Sequence, residues 1–239
     1  PLNLPEVHWV VVRSFDTVEY QIPVIKKILE GRVANASFPS ISVTINLSVT
    51  TPAQNSGRVP VIMELGFVLP KGFKFPEQPG NKMEYLPWQQ QVLQRGWGYA
   101  VIIPVSVQPD NGAGLKEGII GLANKGQLRK PDEWGVLRAW AWGAGRAMDY
   151  FETDQDIDAT RIGIEGHSRY GKAASVAMAY DSRFAVVFAS SSGEGGLKLH
   201  RRNYGEIVEN LANSGEYHWM AGNFIKYGGP LTWDDLPVA

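Results

Sequence analysis

The sequence contains no cysteine. That excludes a disulfide framework, a thiolate nucleophile and any Cys-ligated metal site, while leaving the compartment open. An excess of charge is also missing: 23 basic side chains stand against 24 acidic ones, for a formal net charge of −1. With so weak a net field, there is no electrostatic reason to expect nucleic acid or an anionic membrane as a partner. No apolar run approaches the roughly 18 residues of a membrane span. The opening PLNLPEVHWVVV has no charged segment followed by an apolar one, so any signal peptide is absent from this numbering.

What is present has the balance of a globular protein, with 44% hydrophobic and 20% charged residues over 239 positions, and residues 1–239 read as one domain. Eight Trp, nine Tyr and nine Phe suggest a large aromatic core, with a carbohydrate-facing surface as a second use of some rings. ISVTINLSV at 41–49 alternates like a half-buried antiparallel strand. VPVIMEL at 59–65, YAVIIPV at 99–105, 161–165 and FAVVFAS at 184–190 are apolar runs of the buried-strand kind. Helices are expected over 84–95 and 135–151, and from Arg169 onward. In the second of these, Val136, Leu137, Trp140, Ala144, Ala147, Met148 and Phe151 form a core-facing stripe. The alternation predicts an α/β fold with a mostly parallel sheet between helices. Between Gln108 and Asp132 the chain is polar and glycine-rich without a period, and so long an irregular stretch in a domain is usually functional.

The segment IGIEGHSRYGKAA, 162–174, puts Ser168 between a buried strand and a helix start. This is the position of a nucleophile elbow, where a sharp turn lifts a serine above the carboxyl edge of the sheet. Gly166 and Gly171 supply small neighbours, although Tyr170 stands where the second glycine of G-x-S-x-G would be. The helix N-terminus would stabilise an oxyanion. Arg169 and Lys172 add cations where the helix dipole disfavours them, which points to a functional reason. His167 adjoins Ser168 on a tight turn and would diverge from it.

GHSRYGKAA resembles the G-x-S-R-x-G-K signature of the glucuronoyl esterases, carbohydrate esterase family 15, particularly their bacterial branch. The similarity continues through NGAGLKEGIIGLANKGQLRKPDEWGVLRAWAWGAGRAMDYFET, SSSGEGGLKLHRRNYGE and ENLANSGEYHWMAGNF, over roughly residues 60 to 236. It implies an α/β-hydrolase fold and hydrolysis of the ester between 4-O-methyl-glucuronic acid of glucuronoxylan and lignin alcohols, without metal or organic cofactor, by a secreted or periplasmic enzyme. It also implies roles: Ser168 as nucleophile, Arg169 on the oxyanion, and Lys172 and Glu216 on the sugar hydroxyls. Glu209 is the nearest match to a further sugar ligand. The triad acid of fungal members falls on Ser191, which cannot charge-stabilise a histidine. Glu194 or an acid beyond Ala239 would replace it.

Triads on this fold run Ser, acid, His along the chain. After Ser168 stand only His200 and His218, which read as local hydrogen-bonding or sugar-facing residues. The chain therefore reads as the N-terminal two-thirds of a catalytic domain, its base expected from a C-terminal segment or second chain. An acetyl or other carbohydrate esterase, or an inactive carbohydrate-binding relative, are the alternative readings.

Overall fold

The apolar runs become neighbouring strands of one sheet. The computed structural model describes residues 4–68, 86–199 and 204–227. Its strands are β1 (Val7–Glu19), β2 (Ile22–Val33), β3 (Thr44–Pro52), β4 (Val59–Leu65), β5 (Gly98–Ile102), β6 (Ile157–His167) and β7 (Phe184–Ser190). They lie in the order β1-β2-β3-β5-β4-β6-β7. β5, β4, β6 and β7 are mutually parallel, and β1, β2, β3 and β5 pair antiparallel. The helices are α1 (Trp88–Leu93), α2 (Pro104–Val107), α3 (Gly118–Ala123), α4 (Val136–Phe151), α5 (Arg169–Tyr180) and α6 (Val208–Ala212).

The β1–β2 hairpin is not foreshadowed by sequence pattern. Its turn residues Tyr20 and Gln21 hold φ of 51° and 64° without a glycine, which hides the usual hairpin signal. A bulge between Val11 and Arg13 breaks the alternation of β1. Two further expectations are corrected. The apolar run 99–105 stops being a strand at Ile102, because Pro104 opens α2 as prolines do at a first helical turn. The stretch 108–132 is not structureless: it contains a 3-10 helix at Ala113–Lys116 and then α3. The buried side chain of Gln108 organises this stretch, donating to the Gly114 carbonyl at 2.7 Å and accepting from the Ile120 amide at 2.9 Å. Of the helix expected over 84–95, residues 84 and 85 lie outside the described residues. The described helix is shorter than expected, Trp88–Leu93, and the turn that follows it closes on Gly96 with φ 72°.

The stripe of α4 is core. Val136, Leu137, Trp140, Ala144, Ala147, Met148 and Phe151 are all buried, against one face of the sheet and α5. Along β5 the side chains alternate. Ala100 and Ile102 join that core, while Tyr99 and Val101 meet α1 through Leu93, Trp88 and Val92 on the other face. Trp140 also joins the core to the 108–123 segment, its indole N–H donating to the Gln108 carbonyl at 2.8 Å. Trp140→Ala should therefore destabilise the protein by about 3–5 kcal/mol, read as a lowered urea midpoint.

Two carboxylates face each other on this sheet. Glu64 of β4 and Glu165 of β6 are register partners. Burial, and then the charge of Glu64, push Glu165 up to about 7 from 4.5. Burial also raises Glu64. A raised acid holds its proton more tightly folded than unfolded, so its contribution is fully present below 4.5 and is lost as pH rises towards 7. Glu165→Gln should flatten that decline and raise the thermal midpoint at neutral pH, measured by melting across pH 4 to 8.

Candidate active site

β6 ends at His167 and α5 begins at Arg169, leaving Ser168 alone in the turn with φ 57° and ψ −127°. L-residues rarely adopt this backbone, and the surroundings hold it there. The Ser168 amide donates to the Ser190 carbonyl on β7 at 2.9 Å, and its carbonyl accepts from the Lys172 amide at 3.1 Å. The glycines at −2 and +3 are steric requirements. A Cβ on Gly166 would run into the Tyr170 carbonyl, and one on Gly171 would lie 2.9 Å from the carbonyl oxygens of Gly166 and Ser190. Tyr170 is tolerated between them because it turns inward. Its ring is buried against Trp140 and Phe67, with centroids 5.0 and 4.4 Å away. The amides of Arg169, Tyr170 and Gly171 precede the first bond of α5, so no carbonyl of the helix itself can take them.

Behind the serine, the two cations take different places. Arg169 remains 39% exposed, and its Nη1 donates to Asp110 Oδ2 at 2.5 Å. Its guanidinium carbon lies 5.3 Å from the centroid of the Trp219 indole. Lys172 sits deeper than a residue at the mouth: its side chain is 3% exposed. Its Nζ donates to the Ser192 carbonyl and the Glu206 carboxylate, both at 2.6 Å. Glu206 also accepts the Glu194 amide at 2.9 Å. A buried ammonium needs such partners, because desolvation costs far more than an exposed pair returns.

The far wall is the loop 216–220, and backbone contacts fix its position. The Val136 and Leu137 amides opening α4 donate to the carbonyls of His218 and Trp219 at 2.9 and 3.2 Å. Arg129 donates to the carbonyls of Trp134, Tyr217 and Met220. Gly135 is there because a side chain would strike the Trp219 carbonyl. So held, the loop presents Glu216, whose Oε2 is buried without a hydrogen-bond partner among the described residues. Burial raises the Glu216 carboxyl, and nearby Glu206 raises it further, against Lys172 and Arg169, which lower it. The loop also points the indole of Trp219 and the buried imidazole of His218 at Asp110 Oδ1, at 2.7 and 3.0 Å.

Ser168, Arg169, Lys172 and Glu216 thus come together from α5 and one loop. Glu209 does not join them; it is exposed on the first turn of α6. Glu206, three residues earlier, is the carboxylate that reaches Lys172. It was missed because the sequence between β7 and α6 has no hydrophobic period from which to count spacing. Asp110 and Trp219 were also missed, although the long polar segment after Gln108 was the signal that could have marked Asp110. Glu194 is buried and ion-paired with Lys198 at 3.1 Å, and Ser191 is exposed in a left-handed turn, φ 45°. His167 points to Ser190 Oγ at 3.3 Å, His218 is held by Asp110, and His200 lies outside the described residues. Among the described residues, no histidine hydrogen-bonds the Ser168 hydroxyl.

If the elbow depends on this packing, Gly166→Ala should force it open. We expect a loss of about 1–3 kcal/mol in urea unfolding, together with loss of any serine-dependent hydrolysis.

Residues 128–238 match a family profile described as glucuronyl esterase, fungi. A CE15 glucuronoyl esterase from Teredinibacter turnerae T7901 has a similar structure, with a TM-score of 0.86 and 42% identity over 100% of this chain and 58% of that one. A glucuronoyl esterase from Solibacter usitatus matches with a TM-score of 0.77 and 34% identity, covering 95% of this chain and 62% of the other. Carbohydrate esterase MZ0003, from an unknown prokaryotic organism, is 38% identical over 154 residues, 63% of this chain and 35% of its own length. The chain spans less than two thirds of the length of each of these three proteins.

Proposed function

Because this chain is a relative of the glucuronoyl esterases of carbohydrate esterase family 15, we propose that it carries the nucleophile and sugar-binding side of a serine esterase for glucuronoyl esters. The observation that supports this best is the strained Ser168, with the α5 amides and the Arg169 guanidinium beside it and a carboxylate–ammonium cluster one turn further on. The alternation of strands and helices, with the serine at the carboxyl edge of the sheet, supports an α/β-hydrolase scaffold.

In this reading, Ser168 Oγ attacks the uronoyl carbonyl and gives its proton to a histidine outside the described residues. The carbonyl oxygen gathers negative charge where the first-turn amides and Arg169 can donate to it, the arrangement that usually contributes most to such a reaction. The tetrahedral intermediate collapses, the alcohol leaves with the proton from the histidine, and a glucuronoyl ester of Ser168 remains. Water, deprotonated by the same histidine, attacks that ester, and Ser168 recovers its proton as the uronic acid departs. Glu216 Oε2, buried without a partner among the described residues, is suited to a sugar hydroxyl. Trp219, buried beneath Arg169 and Lys172, backs this wall of the site. Lys172 and Glu206 hold the cluster's charge balance beneath. The ester partner on lignin and the attachment to glucuronoxylan follow the family likeness. A polymeric substrate of that kind would be met outside the cytoplasm.

Two measurements test the assignment. Ser168→Ala should abolish hydrolysis of benzyl glucuronate, and retained turnover would overturn it. Glu216→Gln should weaken use of the uronate ester by about ten- to a hundredfold in kcat/KM, the scale of a hydrogen bond to a charged group. The same variant should leave 4-nitrophenyl acetate hydrolysis unchanged. Equal losses on both esters would favour a general carbohydrate esterase.

A further inference from the structure

We propose that Asp110 is a positioning residue that aims the Arg169 guanidinium at the oxyanion and ties that aim to the sugar-facing loop. The inference rests on the esterase reading of Ser168 and Arg169. Three donors from two separate elements converge on this one carboxylate. Arg169 of α5 takes Oδ2 at 2.5 Å, while Trp219 Nε1 and His218 Nε2 of the loop take Oδ1 at 2.7 and 3.0 Å. The side chain is only 16% exposed. The His218, Trp219 and Arg169 hydrogen bonds outweigh burial and hold Asp110 well below the usual range, at about 2, so it is an anion at any working pH.

The geometry leaves Arg169 one way to face. Its Nη1 is bound to Asp110 and its Nε is buried without a hydrogen-bond partner among the described residues. Its guanidinium carbon lies 5.3 Å from the centroid of an indole whose own N–H the same carboxylate holds. Both restraints on the guanidinium therefore run through Asp110. A long, exposed arginine would otherwise spread over many rotamers, and oxyanion stabilisation is lost when a donor is misplaced by even a fraction of an ångström. Exposed ion pairs are worth little as stability devices, but here the carboxylate is largely buried and shared with the loop that presents Glu216. Asp110 itself sits between α2 and the 3-10 helix, on the segment that Gln108 organises.

The test is a double-mutant cycle in the intact protein on benzyl glucuronate, with Asp110→Asn, Arg169→Ala and the pair. Asp110→Asn should lower kcat by about a hundredfold, the scale of losing one oxyanion donor, with KM changed by less than about threefold. In the Arg169→Ala background the same change should cost less than about threefold, because the group it aims is gone. A purely structural role would instead multiply through in full. Wild-type kcat in Asp110→Asn, a change confined to KM, or full multiplicativity would each overturn the inference. If circular dichroism shows the Asn variant unfolded, Asp110→Glu replaces it in the cycle, with the same outcomes deciding. Ser168→Ala run alongside separates the two claims. Activity remaining in it overturns the esterase reading, whereas an inactive Ser168→Ala beside an unaffected Asp110 variant overturns this inference alone.

Discussion

The left-handed backbone at Ser168 is the constraint on which the rest of the site depends. An L-residue at φ 57° stores strain of the order of 1–3 kcal/mol and persists only where its neighbours leave no other conformation. Here the Ser190 carbonyl on β7 holds the Ser168 amide, the first turn of α5 holds its carbonyl, and Gly166 and Gly171 allow that turn to lie against β6 and β7. These contacts require β6 and β7 to be parallel neighbours, so that the carbonyl of one reaches the turn leaving the other. The strained turn, the parallel pairing of β6 with β7 and the direction of α5 therefore hold one another in place.

Around that turn the protein confines charge by pairing it. Arg169 leans on Asp110, Lys172 on Glu206, and Lys198 on Glu194, with the indole of Trp219 lying 5.3 Å from the first and 5.8 Å from the second of these cations. Glu216 is the exception: its inner oxygen has no hydrogen-bond partner among the described residues. A buried acceptor left in that state costs free energy, and a ligand hydroxyl would recover it. The loop that presents it is held by carbonyls and amides, with Arg129 and the start of α4 as anchors. The buried side chains of His218 and Trp219 add a second anchor, on Asp110.

Much of this was legible beforehand for an identifiable reason. β4, α4 and the turn at Ser168 each have a local signature: a bounded apolar run, a 3.6-residue stripe, or a glycine at a fixed offset from a serine. The run of β7 marked a strand but not a buried one, since Val186 and Phe188 are exposed. The β1–β2 hairpin had none, because Tyr20 and Gln21 make its turn without glycine and a bulge disturbs its alternation. Glu206 and Asp110 were invisible for a different reason. Lys172 meets a carboxylate 34 positions later and Arg169 one 59 positions earlier, and no periodicity spans such separations. Counting back from Glu216 leads to Glu209, an exposed residue three places from the carboxylate that pairs with Lys172.

By itself the sequence determined the alternation of strands and helices, the core stripe of α4 and the place of the strained serine turn. Those depend on contacts within a turn or two, where backbone geometry ties side-chain direction to residue number. Only the tertiary structure decided which carboxylate answers each cation, that Lys172 is buried while Arg169 stays open, and which ring lies beside both. Those are matters of which distant segments share a volume, and long-range packing and desolvation set them together.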